Sequence, residues 1–314
     1  MSNMEVNKII EGNCLTVLKT LPDNSVDCCI TSPPYWGLRD YGHDEQLGGE
    51  SDFKQFVINL ANVFDEVKRV LKPTGTCFVN LGDTYASGVR AKNGADVNTN
   101  DPKNPNANRS KVAPNRMGCG LPEKCLCLVP ERFSIEMIDR GWILRNTIIW
   151  HKPNQMPQSA TDRFTVDFEK IFFFVKKPMG YYFEQQLEPF VSKPEGLRNK
   201  NAENSNNGYP KGDRFSAGER DWYAKGERNL RTVWSVNTET FEGSHFATYP
   251  QRLVERMIKA GCPENGLVID PFFGSGTTGI YARKVNRNFV GIELNPEYVE
   301  IANKRLFKEL GMFA

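Results

Sequence analysis

The chain has 314 residues, 39% of them hydrophobic and 25% charged, which suffices for one large α/β domain with insertions. Its formal net charge of +2 gives no global attraction to nucleic acid, so charge has to be judged segment by segment. The absence of an apolar run of about 18 residues argues against a membrane span. The first residues also lack a signal-peptide pattern, so we expect a cytoplasmic protein.

The eight cysteines are interpreted as reduced thiols of a hydrophobic core. Cys28 and Cys29, for example, fall in an apolar run that is typical of a buried strand. Cys119, Cys125 and Cys127 are closer together, but their spacing is CxxxxxCxC and no histidine is near, so a zinc site is the less favoured alternative. We expect no metal.

Strand and helix patterns alternate in the first 80 residues. Residues 8–10 predict a short strand, 14–21 a helix and 26–30 an apolar strand. A long helix over 53–71 has its apolar residues at helical spacing, and a strand over 76–80 follows it. This alternation predicts a sheet that is mainly parallel.

The segment TSPPYW, residues 31–36, directly follows the strand 26–30 and is the first candidate site. Ligands of open α/β sheets bind outside the carboxyl ends of the strands. Pro33 and Pro34 stiffen the backbone and leave carbonyl acceptors, while Tyr35 offers a face for stacking. Taken alone, the segment could equally be a polyproline-type turn.

Two polar inserts interrupt the pattern. In residues 86–128, basic residues outnumber acidic ones by seven to three, which suits either a solvated loop or a surface for phosphate groups. A helix over 130–140 and strands over 142–150 and 169–176 follow. The second insert, 192–231, has nine basic and six acidic residues with aromatic residues among them, a mixture that suits stacking on bases.

The second candidate site begins where the strand 267–269 ends, at the segment DPFFGSGTT, residues 270–278. Gly274 and Gly276 allow backbone angles closed to other residues and permit a close approach of a ligand. The segment precedes a helix, where threonine hydroxyls could bond the first turn. A strand over 289–292 then ends in Glu293, where a carboxylate could hold ribose hydroxyls. A lone glycine turn is also common as a simple strand-to-helix connection.

TSPPYW together with DPFFGSGTTG resembles the amino-methylating DNA methyltransferases that use S-adenosylmethionine, and the order of the motifs resembles their beta arrangement. The resemblance implies a Rossmann-like methyltransferase sheet with a circularly permuted motif order. That sheet would be mostly parallel, with one antiparallel strand from the hairpin 142–150 and 169–176. It also implies one catalytic domain over 1–314 that carries inserts 86–128, a basic lid over DNA, and 192–231, a candidate target-recognition region.

The resemblance also implies roles for individual residues. The catalytic residues would be Ser32, Pro33, Pro34 and Tyr35. The cofactor-binding residues would be Asp270, Pro271, Phe272, Gly274, Ser275, Gly276, Thr277, Thr278 and Glu293, with Phe246 and Thr248 from the segment HFATYP. No cysteine nucleophile is required, because the nitrogen of the base attacks. For His151, at a strand end, we favour a structural or base-pocket role over catalysis.

The implied reaction is methylation of cytosine N4 in duplex DNA, by base flipping, because family members with serine first in this motif tend to act on cytosine. Adenine N6 is the alternative base. A DNA-binding regulator without catalysis, or an RNA or protein methyltransferase, is an alternative of another class. The implied partners are duplex DNA, a restriction endonuclease of the same system and a second copy of the chain, without a membrane.

Overall fold

The computed structural model describes residues 4–38, 45–86, 120–189, 227–239 and 249–311. Within these residues no helix is both long enough and apolar enough to span a bilayer. The chain divides into two compact units, of which the larger joins Met1–Glu184 to Thr232–Ala314 and the smaller is Gln185–Arg231.

The described residues form α-helices and β-strands in the predicted alternation. The strands are β1 Lys8–Glu11, β2 Val26–Thr31, β3 Leu71–Leu81, β4 Ile143–His151, β5 Phe168–Val175, β6 Leu187–Pro189, β7 Glu227–Asn229, β8 Val233–Ser235, β9 Leu267–Asp270 and β10 Asn288–Glu293. The helices are α1 Cys14–Thr20, α2 Phe53–Val70, α3 Val129–Asp139, α4 Gln251–Gly261, α5 Thr277–Lys284 and α6 Pro296–Leu310.

Eight strands form one sheet in the order β1-β10-β9-β2-β3-β5-β4-β8. Neighbouring strands are parallel except at β5, which is antiparallel to both β3 and β4. The sheet is therefore mostly parallel with one antiparallel strand, as predicted. Because β9 and β10 lie between β1 and β2, the two ends of the sequence meet in one sheet.

Capping residues and apolar spacing explain where the helices start and how they pack. Asn13 caps α1, Asp52 caps α2 by accepting from the Lys54 amide, and Asn295 caps α6 with Pro296 in the first turn. The apolar face of α2 is fully buried against the sheet and α3. These contacts fix the carboxyl ends of the strands, where the candidate residues lie.

The start of β3 differs from the sequence-based prediction. We expected the helix to reach residue 71 and the strand to begin at residue 76, but the strand begins at Leu71. The backbone becomes extended as soon as α2 ends, and Leu71 pairs with Val26 before the register shifts at Cys28. Pro73 lies in that shift, where the pairing does not need its missing amide hydrogen.

The described ends of the first insert pair with each other. The Ala86 amide donates to the Cys125 carbonyl at 2.8 Å, and the Cys127 amide donates to the Thr84 carbonyl at 2.9 Å. Residues 87–119 of this insert lie outside the described residues. The smaller unit includes the predicted insert 192–231, of which 192–226 are likewise outside, and its described part is the antiparallel pair of β6 and β7.

The described cysteines are free thiols, and most of them are buried in the core, as predicted. Burial raises the pKa of the Cys14 and Cys262 thiols to about 12, so both are protonated and unreactive at neutral pH. Cys125 is half-buried, and Cys119 lies outside the described residues.

Candidate active site

A cavity of about 480 Å³ opens at the carboxyl ends of β1, β2, β9 and β10, within the larger unit. One wall consists of the loop after β2, and the opposite wall consists of the turn after β9 and the end of β10. Both sequence motifs therefore line the same cavity, although they are more than 200 residues apart in the chain.

The four predicted catalytic residues, Ser32, Pro33, Pro34 and Tyr35, all line this cavity. The ring of Tyr35 lies against Gly82, where an added Cβ would come within 2.5 Å of its Cε2 atom. The ring therefore occupies space that any larger residue at position 82 would fill.

The turn after β9 follows the backbone path that its glycines predicted. Gly274 has φ of +52° and Gly276 has φ of +85°, both in the left-handed region that favours glycine. A Cβ at Gly274 would meet no atom within 4 Å, because this glycine faces the cavity. Of the predicted cofactor residues in this turn, those that line the cavity are Pro271, Phe272, Gly274, Ser275 and Thr277.

Asp270 does not line the cavity but lies behind the turn, with 1% of its surface exposed. Its Oδ1 accepts from the Thr31 hydroxyl at 2.6 Å and from the Phe272 amide at 3.0 Å. Its Oδ2 accepts from the hydroxyls of Thr278, at 2.5 Å, and Tyr249, at 3.3 Å. Burial raises the pKa of this carboxyl, while the hydrogen bonds oppose the shift. Asp270 therefore joins the two motifs and positions the turn.

The hydroxyls of Thr277 and Thr278 do not cap α5, contrary to the sequence-based expectation. The cap position is Gly276, which has no side chain to accept a hydrogen bond from the amides of the first turn. Thr278 donates instead to Asp270, and the Thr277 hydroxyl accepts from Arg305 Nη1 at 3.2 Å. The same Arg305 nitrogen donates to the carbonyl and hydroxyl of Ser275, so a residue of the last helix supports the turn.

Glu293 lines the cavity at the end of β10, on the same side as the turn. Its Oε2 accepts from the Gly274 amide at 2.7 Å, and its Oε1 accepts from the Asn295 amide at 2.9 Å. Burial raises the pKa of this carboxyl, and the two amides oppose the shift. Each oxygen keeps a further lone pair that can accept from a ligand hydroxyl.

Three cavity residues, Asn80, Lys152 and Glu169, were missed by the sequence analysis. Glu169 Oε2 accepts from the Tyr35 hydroxyl at 2.6 Å and from Asn80 Nδ2 at 2.7 Å. Its Oε1 pairs with the Lys152 ammonium. All three lie at the edge of the sheet where β3 and β4 end and the antiparallel β5 begins, and this placement could have singled them out.

Other predicted residues lie elsewhere. His151 Nδ1 lies 3.0 Å from the Ser235 hydroxyl, and the histidine does not line the cavity. Phe246 and Thr248 lie outside the described residues. Tyr249, from the same HFATYP segment, contacts the Asp270 carboxylate, so the described end of that segment packs beside the turn.

The cavity residues fit S-adenosylmethionine, the cofactor that the resemblance implies. Gly274 leaves open space beside its main chain, and Glu293 presents a fixed carboxylate next to it, which suits a ribose diol. Phe272 and Ile292 supply an apolar surface for an adenine ring. A volume of about 480 Å³ is within the range of ordinary ligand pockets.

Comparison with known proteins gives the same assignment. The chain is 43% identical over 298 residues to the type II methyltransferase M.Cfr9I of Citrobacter freundii, covering 95% of this chain and 87% of that protein. It is 37% identical over 307 residues to M.SmaI of Serratia marcescens, covering 98% and 93%.

Solved structures share the fold at lower identity. A putative DNA modification methylase of Thermus thermophilus, in complex with S-adenosyl-L-methionine, superposes with a TM-score of 0.59 at 24% identity, covering 98% of this chain and 97% of that one. The cytosine-N4-specific PvuII DNA methyltransferase superposes with a TM-score of 0.61 at 20% identity, covering 95% and 85%. The family profile described as DNA methylase, of N6 and N4 methyltransferases, matches residues 26–304. The chain therefore belongs to the N6/N4 family of DNA methyltransferases, enzymes that use S-adenosylmethionine.

Proposed function

We propose that this DNA methyltransferase transfers a methyl group to the exocyclic N4 of cytosine in duplex DNA, after the target base has been flipped out of the helix. The observation that carries the proposal is the single cavity that Ser32 and Glu293 share. An extruded base in contact with Ser32 would lie next to a cofactor bound at the turn, in a position suited to direct transfer.

In this proposal Glu293 holds the ribose, and the turn of residues 271–277 holds the rest of the cofactor. Asp270 acts through the turn rather than on the ligand, because its acceptors are occupied by donors from the protein. When bound, S-adenosylmethionine supplies a methyl group that its positively charged sulfur has already activated.

The residues of the motif after β2 prepare the amine. Tyr35 stacks on the extruded base, and the carbonyls of Ser32 and Pro33 accept hydrogen bonds from the amine. These bonds direct the nitrogen lone pair at the methyl carbon. A cofactor held by the turn and Glu293 would supply the methyl group for the new bond on this nitrogen, and one amine proton would then be released to solvent. Positioning and exclusion of water are the main contributions of the protein.

Ser32 is the basis for choosing cytosine over adenine. Its hydroxyl is neutral and can donate as well as accept, whereas the aspartate found first in related motifs is a charged acceptor. The relatives support a restriction-modification setting, since they are named type II methyltransferases. A cognate restriction endonuclease, a cytoplasmic location, a homodimer and DNA contacts by the inserts 86–128 and 192–231 belong to the same proposal.

The test is incubation with duplex DNA and labelled S-adenosylmethionine, followed by digestion to nucleosides and mass spectrometry. We expect N4-methylcytosine from the wild type and almost none from Pro34→Ala, a variant that should still bind the cofactor. N6-methyladenine would overturn the choice of base and leave the enzyme class intact. Methylation of competing RNA in preference to the duplex would overturn the choice of substrate.

A further inference from the structure

A polar cluster lies on the wall opposite the cofactor turn, and three of its members, Asn80, Lys152 and Glu169, have no role in the proposed methyl transfer. It consists of Ser32, Tyr35, Asn80, Lys152 and Glu169, which come from the loop after β2, from β3, from the residue after β4 and from β5. Asn80 Nδ2 lies 3.4 Å from the Ser32 hydroxyl and donates to the Tyr35 hydroxyl at 2.8 Å. The cluster therefore begins at the residue that receives the amine and extends away from it.

Glu169 is the centre of the cluster. One of its oxygens accepts from Tyr35 and Asn80, and the other pairs with Lys152. The side chains of Lys152 and Glu169 are only 13% and 16% exposed. An ion pair this buried contributes little to stability, because removing two charges from water offsets most of their attraction. Its position among the few polar groups of a ligand cavity therefore indicates contact with a ligand.

The Lys152 ammonium is held in place on two sides. It pairs with Glu169 and lies 4.3 Å from the centroid of the Trp150 ring, a cation–π contact. The hydrogen bond to Glu169 uses one of its three N–H donors, and the group lines the cavity. Asn80 Oδ1 is also buried without a partner among the described residues, as expected for a cluster that a ligand completes.

We propose that Lys152 recognises the carbonyl O2 of the extruded cytosine, and that Glu169 positions both Lys152 and the Tyr35 ring for this contact. The inference rests on the proposed methylation of cytosine. On a cytosine ring, the carbon that bears O2 lies two ring bonds from the carbon that bears the amine, just as Lys152 lies at the far end of the cluster from Ser32. Adenine has no carbonyl at all, so this donor favours cytosine.

The experiment compares two target bases in a duplex whose methylated site has first been mapped with the wild type. One is cytosine. The other is a 2-aminopyridine C-nucleoside, which keeps the amine and the adjacent ring nitrogen but has C–H in place of the carbonyl. For the wild type we expect kcat/KM to fall about tenfold to a hundredfold on the analogue, the loss of one hydrogen bond to a charged donor.

On cytosine, the kcat/KM of Lys152→Met should be reduced by about the factor that the wild type loses on the analogue. On the analogue, this variant should show no further loss. Lys152→Arg should still prefer cytosine to the analogue. Glu169→Gln should weaken the discrimination, because Lys152 loses its charged partner. The control is Lys170→Met, which breaks a more exposed Lys–Glu pair with Glu131, 19% and 36% exposed, that does not line the cavity. This control should retain the full discrimination. Affinity for S-adenosylmethionine should stay unchanged in all four variants.

The inference is overturned if Lys152→Met suffers the same penalty on the analogue as the wild type. Loss of cofactor binding would reveal that Lys152→Met fails to fold. The test then uses the wild type alone, and an equal kcat/KM on cytosine and on the analogue rejects the contact between Lys152 and O2. A wild type that methylates adenine would overturn this inference and the choice of base together. A wild type that methylates cytosine without the expected discrimination would reject only the role of Lys152.

Discussion

At the scale of single residues, the Asp270 carboxylate connects the two motifs of the enzyme. It accepts hydrogen bonds from Thr31 at the end of the central strand β2, from Tyr249 before α4 and from Thr278 in α5. These hydroxyls belong to segments that are distant in sequence, and the carboxylate is their shared acceptor. The effect of changing it should therefore appear in folding before it appears in chemistry.

Asp270→Ala should lower the free energy of unfolding by about 2–4 kcal/mol, because buried donors lose their acceptor. Asp270→Asn keeps the shape of the side chain and should lose less than Asp270→Ala. Urea denaturation measures both. The surface control is Asp23→Ala, whose side chain is 66% exposed and pairs with Arg69, and which should cost less than about 1 kcal/mol. Equal effects at Asp270 and Asp23 would contradict the connecting role.

Glu293 should make cofactor binding depend on pH. Burial raises the pKa of this carboxyl, so the folded protein takes up its proton at a higher pH than an exposed glutamate would. The protonated group is a poorer acceptor for ribose hydroxyls. We expect affinity for S-adenosylmethionine, measured by calorimetry, to weaken as the pH falls through this raised pKa. Glu293→Gln should bind about tenfold more weakly at neutral pH and lack this pH dependence.

The raised pKa of Glu293 has the opposite pH dependence for the stability of the fold. Because the folded state binds this proton more tightly than the unfolded state, the contribution of Glu293 to folding is fully present below the pKa of the unfolded chain. That contribution is lost as the pH rises through the folded pKa. If the affinity of Glu293→Gln for S-adenosylmethionine falls in acid as much as that of the wild type, another group is titrating. That result would contradict the assignment of the pH dependence to Glu293.

At the scale of elements, the end of β3 shapes the cavity wall that carries Tyr35. Gly82 follows this strand, and an added Cβ would lie 2.5 Å from Cε2 and 2.9 Å from Cδ2 of the Tyr35 ring. We predict that Gly82→Ala displaces the ring and lowers kcat about tenfold to a hundredfold, because a misplacement of the substrate by about 1 Å costs that much. Single-turnover kinetics with the mapped duplex would measure it.

Gly49→Ala is the matched control for this change. A Cβ at Gly49 would have its nearest contact at 3.6 Å, with the side chain of Gln46, and the glycine is exposed. It should retain the kcat of the wild type. Affinity for S-adenosylmethionine should be retained in both variants, since neither glycine touches the cofactor turn. A wild-type kcat in Gly82→Ala would show that the exact placement of Tyr35 is unimportant.

Local patterns in the sequence predicted most elements, and the contacts between distant elements account for what was missed. The apolar spacing of α2 is a local signal, and this helix lies where expected. The motif after β2 and the turn after β9 were recognised from their residues. Lys152 and Glu169 were not, because neither belongs to a local motif and they meet only where the end of β4 pairs with the start of β5.

At the scale of the whole molecule, the order of elements in the chain is separable from their arrangement in space. β1 runs parallel to β10, and α6, which begins just after the carboxyl end of β10, packs back against both strands. The start of β1 and the end of α6 are therefore expected at the same edge of the sheet. A short linker between them should not disturb the cavity at the opposite edge.

We predict that a circular permutant, closed by a Gly/Ser linker and opened at Gly180, folds and binds S-adenosylmethionine like the wild type. Gly180 lies in an exposed turn after β5, which is the kind of site that tolerates new termini. Circular dichroism and calorimetry would test both properties. A control opened at Ser275, inside the cofactor turn, should lose cofactor binding. Loss of folding in the Gly180 permutant would show that the native order of elements is required.

The position of β2 at the centre of the sheet has a consequence for biosynthesis. Its partner β3 is translated soon after it, but its other partner, β9, is translated nearly at the end of the chain, and the bond between Thr31 and Asp270 joins residues 239 positions apart. On the ribosome, the apolar β2 therefore has one edge with unpaired backbone groups for most of translation. Unpaired strand edges promote association between nascent chains. A host cell should need chaperone capacity to make this enzyme, and methylation of its DNA should begin only after each chain has been released.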